Sequence, residues 1–204
     1  MAKIPDIETA SDFYNFSEAE KFILNKLMEE VPSKLYYHGV HHTIDVFNAA
    51  LKIAETEKLS PEQLKLLRIA VLYHDAGFVE VYKEHEKYGC ALAKEILPRF
   101  GFNDKEIGII CKMIMATKIP QTPTSKLEKI ICDADLDYLG REDFSKIANS
   151  LFKELITHCL VSDEEEWNNI QKKFLEKHQY HTDFSKAERE PGKQQHLKEL
   201  KVKK

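Results

Sequence analysis

Five times along the chain a serine or asparagine is followed three positions later by glutamate or glutamine: Ser17 with Glu20, Ser60 with Gln63, Asn103 with Glu106, Ser125 with Glu128, and Ser162 with Glu165. In that spacing the first side chain accepts from the backbone N–H three residues on and the second reaches back, so each pair marks a helix start. Pro61 adds a proline at a favoured first helical position. Between these starts lie the stops, at Pro32, Gly77, Pro98 with Gly101, Pro120 with Pro123, and Gly140. Strand signals do not recur, so the expected fold is all-α. The periodicity predicts about eight helices, near 17–30, 40–58, 61–76, 85–98, 104–117, 125–139, 143–159 and 163–179, with a candidate polar helix after 184. At 204 residues and 43% apolar content the chain can bury one sizeable core. With no repeat and no low-complexity linker, 1–204 is expected to be a single domain.

A net charge of −4 gives no general attraction to nucleic acid. The locally basic stretch from Lys193 to Lys204 is read as a solvated end. Cys90, Cys111, Cys132 and Cys159 are widely spaced, form no CxxC pair, and suit small core residues in a reducing compartment. No apolar run has the length of a membrane helix, and MAKIPDIETASD lacks the charged-then-apolar layout of a signal peptide. A cytoplasmic protein without membrane contact is expected.

Candidate chemistry begins at VLYHDAGF, residues 71–78, where an apolar run ends in His74 and Asp75 just before Gly77. A helix end favours a cation through its dipole, and imidazole and carboxylate are good metal ligands. In the helix at 40–58, Val40, Ile44, Phe47 and Leu51 form one apolar stripe while Val46, Ala49, Ala50 and Ile53 cover much of the other side. Such a helix is expected to be central. His38, His42 and Asp45 fall together among the second set, His41 points away, and His38, beside Gly39, is freer than His42 to face a substrate. In KLEKIICDADLDYLG the same angular reasoning sets Asp135 toward the core beside Leu127, Ile131, Tyr138 and Leu139, with Asp133 and Asp137 on another side. A buried carboxylate costs several kcal/mol unless it is paired or bound to a cation. Arg141 or a lysine could serve as that partner, and so could a metal.

Together His42, His74, Asp75 and Asp135 supply two imidazoles and two carboxylates from three helices, a set suited to Mn, Fe, Mg or Zn. The order H, then HD, then D resembles the HD-domain superfamily of metal-dependent phosphohydrolases, over roughly residues 36–140. YYHGVHHTIDV also resembles the YHNxxHAxDV signature of cyclic-nucleotide phosphodiesterases, with Gly39 in place of asparagine. The shorter chain and Gly39 bring it nearer the bacterial-type HD hydrolases. The resemblance implies an HD-type helical bundle, with an HD core over 36–140 and a helical extension over 141–204. It further implies that His42, His74, Asp75 and Asp135 bind a divalent ion and that His38 donates a proton to the leaving oxygen. His85 resembles the histidine of the HE segment of such hydrolases, so it would bind a second ion or a phosphate, with Glu86 behind it. At the end of the following helix, where dinuclear relatives carry a further histidine, this chain has Thr117 and Lys118, and Lys118 is a candidate phosphate contact.

Beyond Gly140 less chemistry is visible. Phe144, Ile147, Leu151, Leu155, Trp167, Ile170 and Phe174 are spaced to pack against a core, and His178 and His181 suit packing or surface roles. The expected activity is hydrolysis of a phosphate ester of a nucleotide or related small metabolite, a phosphomonoester or phosphodiester, by hydroxide formed from metal-bound water. Asp75 or Asp135 would orient that water and His38 would protonate the leaving group. Two rivals are a non-catalytic sensor using the same pocket and a di-iron oxygenase on the same fold. The latter needs more histidines than the chain presents.

Overall fold

The computed structural model describes residues 16–202. The segment read above for a leader pattern, and the last two lysines of the basic end, lie outside the described residues. Four of the five predicted capping boxes are formed: Ser17, Ser60, Asn103 and Ser125 accept from the backbone three residues on, and Glu20, Gln63, Glu106 and Glu128 reach back. Each such cap contributes about 1 kcal/mol. The fifth start is shifted by one residue. Asp163, not Ser162, caps its helix by accepting from the Glu166 N–H at 2.8 Å, and the Ser162 N–H donates to the Glu166 carboxylate. The Asp163 carboxylate adds a charge that complements the helix N-terminus, which a serine hydroxyl lacks.

The starts launch five of the ten helices, which in order are α1 (Glu18–Glu30), α2 (Val40–Glu57), α3 (Pro61–Tyr73), α4 (His85–Ile96), α5 (Asp104–Ala116), α6 (Lys126–Asp135), α7 (Phe144–Thr157), α8 (Glu164–Lys177), α9 (Asp183–Glu188) and α10 (Glu190–Val202). Short 3₁₀ turns at Ala76–Val79, Leu97–Phe100 and Asp137–Gly140 take up residues expected to extend helices. Among the described residues there are thus ten α-helices and no strand, because the polar segment after 182 makes two helices.

As its two apolar faces require, α2 is central, packing on α3 and α6. α3 packs in turn on α5, and α5 on α4. One apolar core joins α1 to α6, with Ile53, Leu67, Leu72 and Ile110 fully enclosed. A second gathers Tyr37, Leu139 and Phe144 with Trp167, Leu175, Leu197 and Leu200 of the last helices.

Polar contacts bind the last helices to α6 and the turn after it. The angular reading had turned Asp133 and Asp137 away from the core, yet both are buried. Asp133 accepts from the His181 N–H at 2.9 Å and from the Thr182 N–H and hydroxyl at 2.8 and 2.7 Å. Asp137 pairs with Arg189 at 2.7 Å and Arg141 at 3.5 Å. Gly140 and Gly192 make the close approach possible: a Cβ at Gly140 would lie 2.1 Å from the Arg189 carbonyl oxygen. The basic end is also not simply solvated. Lys193 is 1% exposed, donates to the His178 carbonyl at 2.7 Å and pairs with Glu190 at 2.8 Å. The side opposite Asp135 on α6 is therefore covered by a folded extension, which periodicity within α6 alone could not reveal.

Candidate functional site

α3 ends at His74, and Asp75 leads into the 3₁₀ turn that follows. His42 arrives from the first turn of α2 and Asp135 from the last residue of α6. One ligand atom each from His42, His74 and Asp135 lies within 4.8 Å of the others. His42 Nε2 is 3.2 Å from Asp135 Oδ1 and 3.4 Å from Asp75 Oδ2, and His74 Nε2 is 3.3 Å from that same Asp75 oxygen. Asp75 thus faces both imidazoles although it lies outside the tightest trio.

The chemistry of this donor set fits a divalent ion. His42 Nε2, His74 Nε2 and Asp75 Oδ2 are buried without a hydrogen-bond partner, while buried polar atoms are ordinarily satisfied. The Nδ1–H of His74 donates to the Val71 carbonyl at 2.7 Å, which assigns the tautomer and leaves the Nε2 lone pair aimed at the cluster. Burial would raise the carboxyl of Asp135, yet His42 and His74 beside it bring it down to about 2. Burial likewise opposes charge on His74, but the Asp75 and Asp135 carboxylates outweigh it and raise the imidazole well above its usual value. Gln121 Nε2, 3.3 Å from Asp135 Oδ2, holds the carboxylate from the outer side. Arg141 does not fill that place, being committed to Asp45, Asp137 and Asp143. Asp45 pairs with Arg141 at 2.8 Å and is partly exposed; His41 is exposed as expected.

His85 opens α4 with Nε2 at 3.4 Å from Asp75 Oδ1 and 3.6 Å from the buried Glu86. Asp75 raises the pKa of His85 against the lowering effect of burial. Gly77 allows this approach, since a Cβ there would meet the His85 carbonyl oxygen at 2.0 Å. Thr117 is turned inward, its hydroxyl on the Ile114 carbonyl at 2.8 Å. Lys118 lines the same cavity as Asp75 and His85 and pairs with Glu84 at 3.3 Å on the rim.

The extension supplies a residue that sequence reasoning missed. Glu154 of α7 is fully buried and its carboxylate accepts from the Tyr37 N–H at 2.8 Å, the His38 N–H at 3.1 Å, the Tyr82 hydroxyl at 3.0 Å and the His38 Nδ1–H. Burial would raise its pKa, but His38 and these N–H donors hold it below the usual carboxylate range. The signal available was weak: one glutamate among the apolar positions of KIANSLFKELI, with no partner nearby in sequence. The ring of Phe78 stacks on those of His38 and His85, at centroid distances of 4.2 and 4.0 Å.

The family model of the HD domain matches residues 39–137. This segment is an HD domain. His42, His74, Asp75 and Asp135 all fall inside the HD segment, whereas His38 precedes it by one residue and Glu154 follows it. No curated protein matches the chain by sequence. Among solved structures it is similar to a predicted HD superfamily hydrolase from an uncultured Thermotogales bacterium, at 23% identity and a TM-score of 0.57, over 82% of this chain and 95% of that one. It is also similar to Bacillus subtilis YpgQ, solved in complex with ADP, at 21% identity and a TM-score of 0.59, over 90% and 95%. Both likenesses cover more of the chain than the HD segment alone. Among the described residues, no helix is long and apolar enough to cross a membrane.

Proposed function

We propose that the chain is a metal-dependent phosphohydrolase acting on a small phosphorylated metabolite, with His42, His74, Asp75 and Asp135 holding a divalent ion such as Mn, Fe, Mg or Zn. The observation that carries the reading is the convergence of three buried, unpartnered atoms, His42 Nε2, His74 Nε2 and Asp75 Oδ2. When bound, the ion supplies a water of lowered pKa and neutralises charge on the phosphoryl oxygens. Asp75 and Asp135 orient the attacking water by accepting its hydrogen bond. His38, held through Nδ1 by Glu154, passes a proton from Nε2 to the leaving oxygen. His85 and Lys118, which line the same cavity, contact the phosphate. A second, weaker ion would take His85 with Asp75 and Glu86.

The ADP complex of YpgQ makes nucleotides the first class to assay. The test is elemental analysis of protein purified without added metal, followed by a panel of phosphomonoesters and phosphodiesters including nucleotides. Stoichiometric divalent metal with metal-dependent release of phosphate or nucleotide supports the reading. Metal bound without turnover of any ester would leave a binding domain in its place.

A further inference from the structure

Asp75 and Asp135 of the proposed metal cluster line a cavity of about 490 Å³ whose wall is also built by the extension. Leu151 and Leu155 of α7, Leu160 after it, and Trp167, Ile170 and Phe174 of α8 line this apolar part of the cavity. All of these but Leu160 are residues expected from their spacing to close a core. Trp167 is buried, but Leu160 and Ile170 are 42% and 40% exposed, so part of this apolar face is open to water. Ile119, 52% exposed, lines the same cavity. Large apolar side chains left in water along one wall of a site are most simply explained by an apolar ligand that covers them.

We infer that the substrate is a phosphate ester of an apolar alcohol, its phosphate at the metal-ligand cluster and its hydrocarbon part in the chamber between α7 and α8. The phosphate end of this inference rests on the phosphohydrolase reading; the apolar end rests on the chamber alone. The lining argues against a nucleobase there. Apart from the indole N–H of Trp167, Gln171 is the sole polar side chain of α7 and α8 that lines the cavity, and one of its amide N–H groups donates to Asn168 at 3.4 Å. A base brings several donors and acceptors on its edge, and each one buried unpaired costs roughly a factor of ten in affinity. A methylene entering the chamber instead gains up to about fourfold, from ~0.8 kcal/mol per buried CH₂.

Trp167 is the only tryptophan in the chain and lines the chamber, so its emission reports occupancy directly. The full chain, loaded with Mn²⁺, is titrated with n-alkylphosphonates from ethyl to octyl and, separately, with AMP and ADP. Affinity is expected to rise about two- to fourfold per methylene, with octylphosphonate binding more tightly than either nucleotide. Ile170→Glu, a change at a partly exposed position, should cut the octyl-to-ethyl affinity ratio at least about tenfold, because a charge now borders the chain. Affinity independent of chain length, or ADP binding more tightly than octylphosphonate, overturns the inference. If octylphosphonate binds as expected while alkyl phosphates and nucleotides are not hydrolysed, the chamber assignment stands and the phosphohydrolase reading fails.

Discussion

Glu154→Gln isolates the charge of the one buried group that ties the extension to the proposed proton donor. In the native protein one carboxylate oxygen accepts from the backbone N–H groups of Tyr37 and His38, while the other accepts from His38 Nδ1 and the Tyr82 hydroxyl. An amide can keep its oxygen on the backbone pair, which turns its NH₂ toward two groups that were donating. Tyr82 can rotate its hydroxyl to accept, but His38 must give up its proton on Nδ1 to do the same. Glu154 is fully buried, so solvent does not screen the loss. Two charge-assisted hydrogen bonds replaced by strained neutral ones should cost roughly 2–4 kcal/mol. For a domain of this size each kcal/mol moves the melting temperature by about 2–4 °C, so a drop of about 5–15 °C is expected by calorimetry.

The same substitution should leave metal content unchanged, because none of the hydrogen bonds of Glu154 reaches His42, His74, Asp75 or Asp135. Turnover of an ester with a poor leaving group should fall on the order of 10²–10³, and that of a p-nitrophenyl ester much less, since nitrophenolate leaves without a proton. A variant that melts within about 1 °C of the parent would refute the energetic argument, since the expected cost is several times larger. Equal losses on both substrates would refute transmission through His38.

Four further outcomes follow from the site and its surroundings. His74→Ala or Asp135→Ala should abolish both bound metal and turnover, together with the metal-dependent part of the melting temperature, and full metal occupancy in either would show the ligand set to be wrong. His85→Ala should leave one tightly held ion with reduced activity, as read by elemental analysis; loss of all metal would move His85 into the primary set. His38→Ala should retain metal and lose on the order of 10²–10⁴ in kcat, less so for p-nitrophenyl esters. Burial and Lys193 lower His178 from 6.5 to about 4, so the unfolded chain takes up a proton there before the folded one. The resulting stability is complete above pH 6.5 and is lost as the pH falls from there toward 4, by roughly 2–3 kcal/mol in all. A His178→Asn variant should show that much less acid sensitivity in the window, and identical pH–melting curves would exclude the effect.

The positions within the HD segment were legible because each depends on local spacing. Three capping boxes and two apolar stripes around α2 are properties of neighbouring residues, and the convergence of His42, His74 and Asp135 follows once their helices pack. What was not legible depends on contacts between distant segments. Glu154 meets Tyr37 and His38 across more than a hundred residues, so no periodicity announces it. Lys193 read as solvent-facing because a lysine in a polar helix usually is; its burial depends on the His178 carbonyl and Glu190 being there to receive it. Leu151, Ile170 and Phe174 had the spacing of core residues, and spacing alone does not distinguish a filled interior from the wall of a cavity.

The three aspartates of DADLD explain how the two halves are made to depend on one another. Two residues apart near a helix end, they point alternately to opposite sides: Asp135 to His42 and His74, Asp133 and Asp137 to the extension. A buried carboxylate without donors is expensive, so Asp133 and Asp137 are comfortable only when Thr182 and Arg189 are in place. The same docking places α7 with Glu154 behind His38 and α8 with Trp167 along the cavity. The proposed ligand set therefore comes from the HD segment, while the residue that orients the proposed proton donor and the wall that would select the substrate come from outside it. Because the docking runs through the helix that carries Asp135, loosening it should disturb the ligand geometry as well as the chamber, and the extension is part of the site.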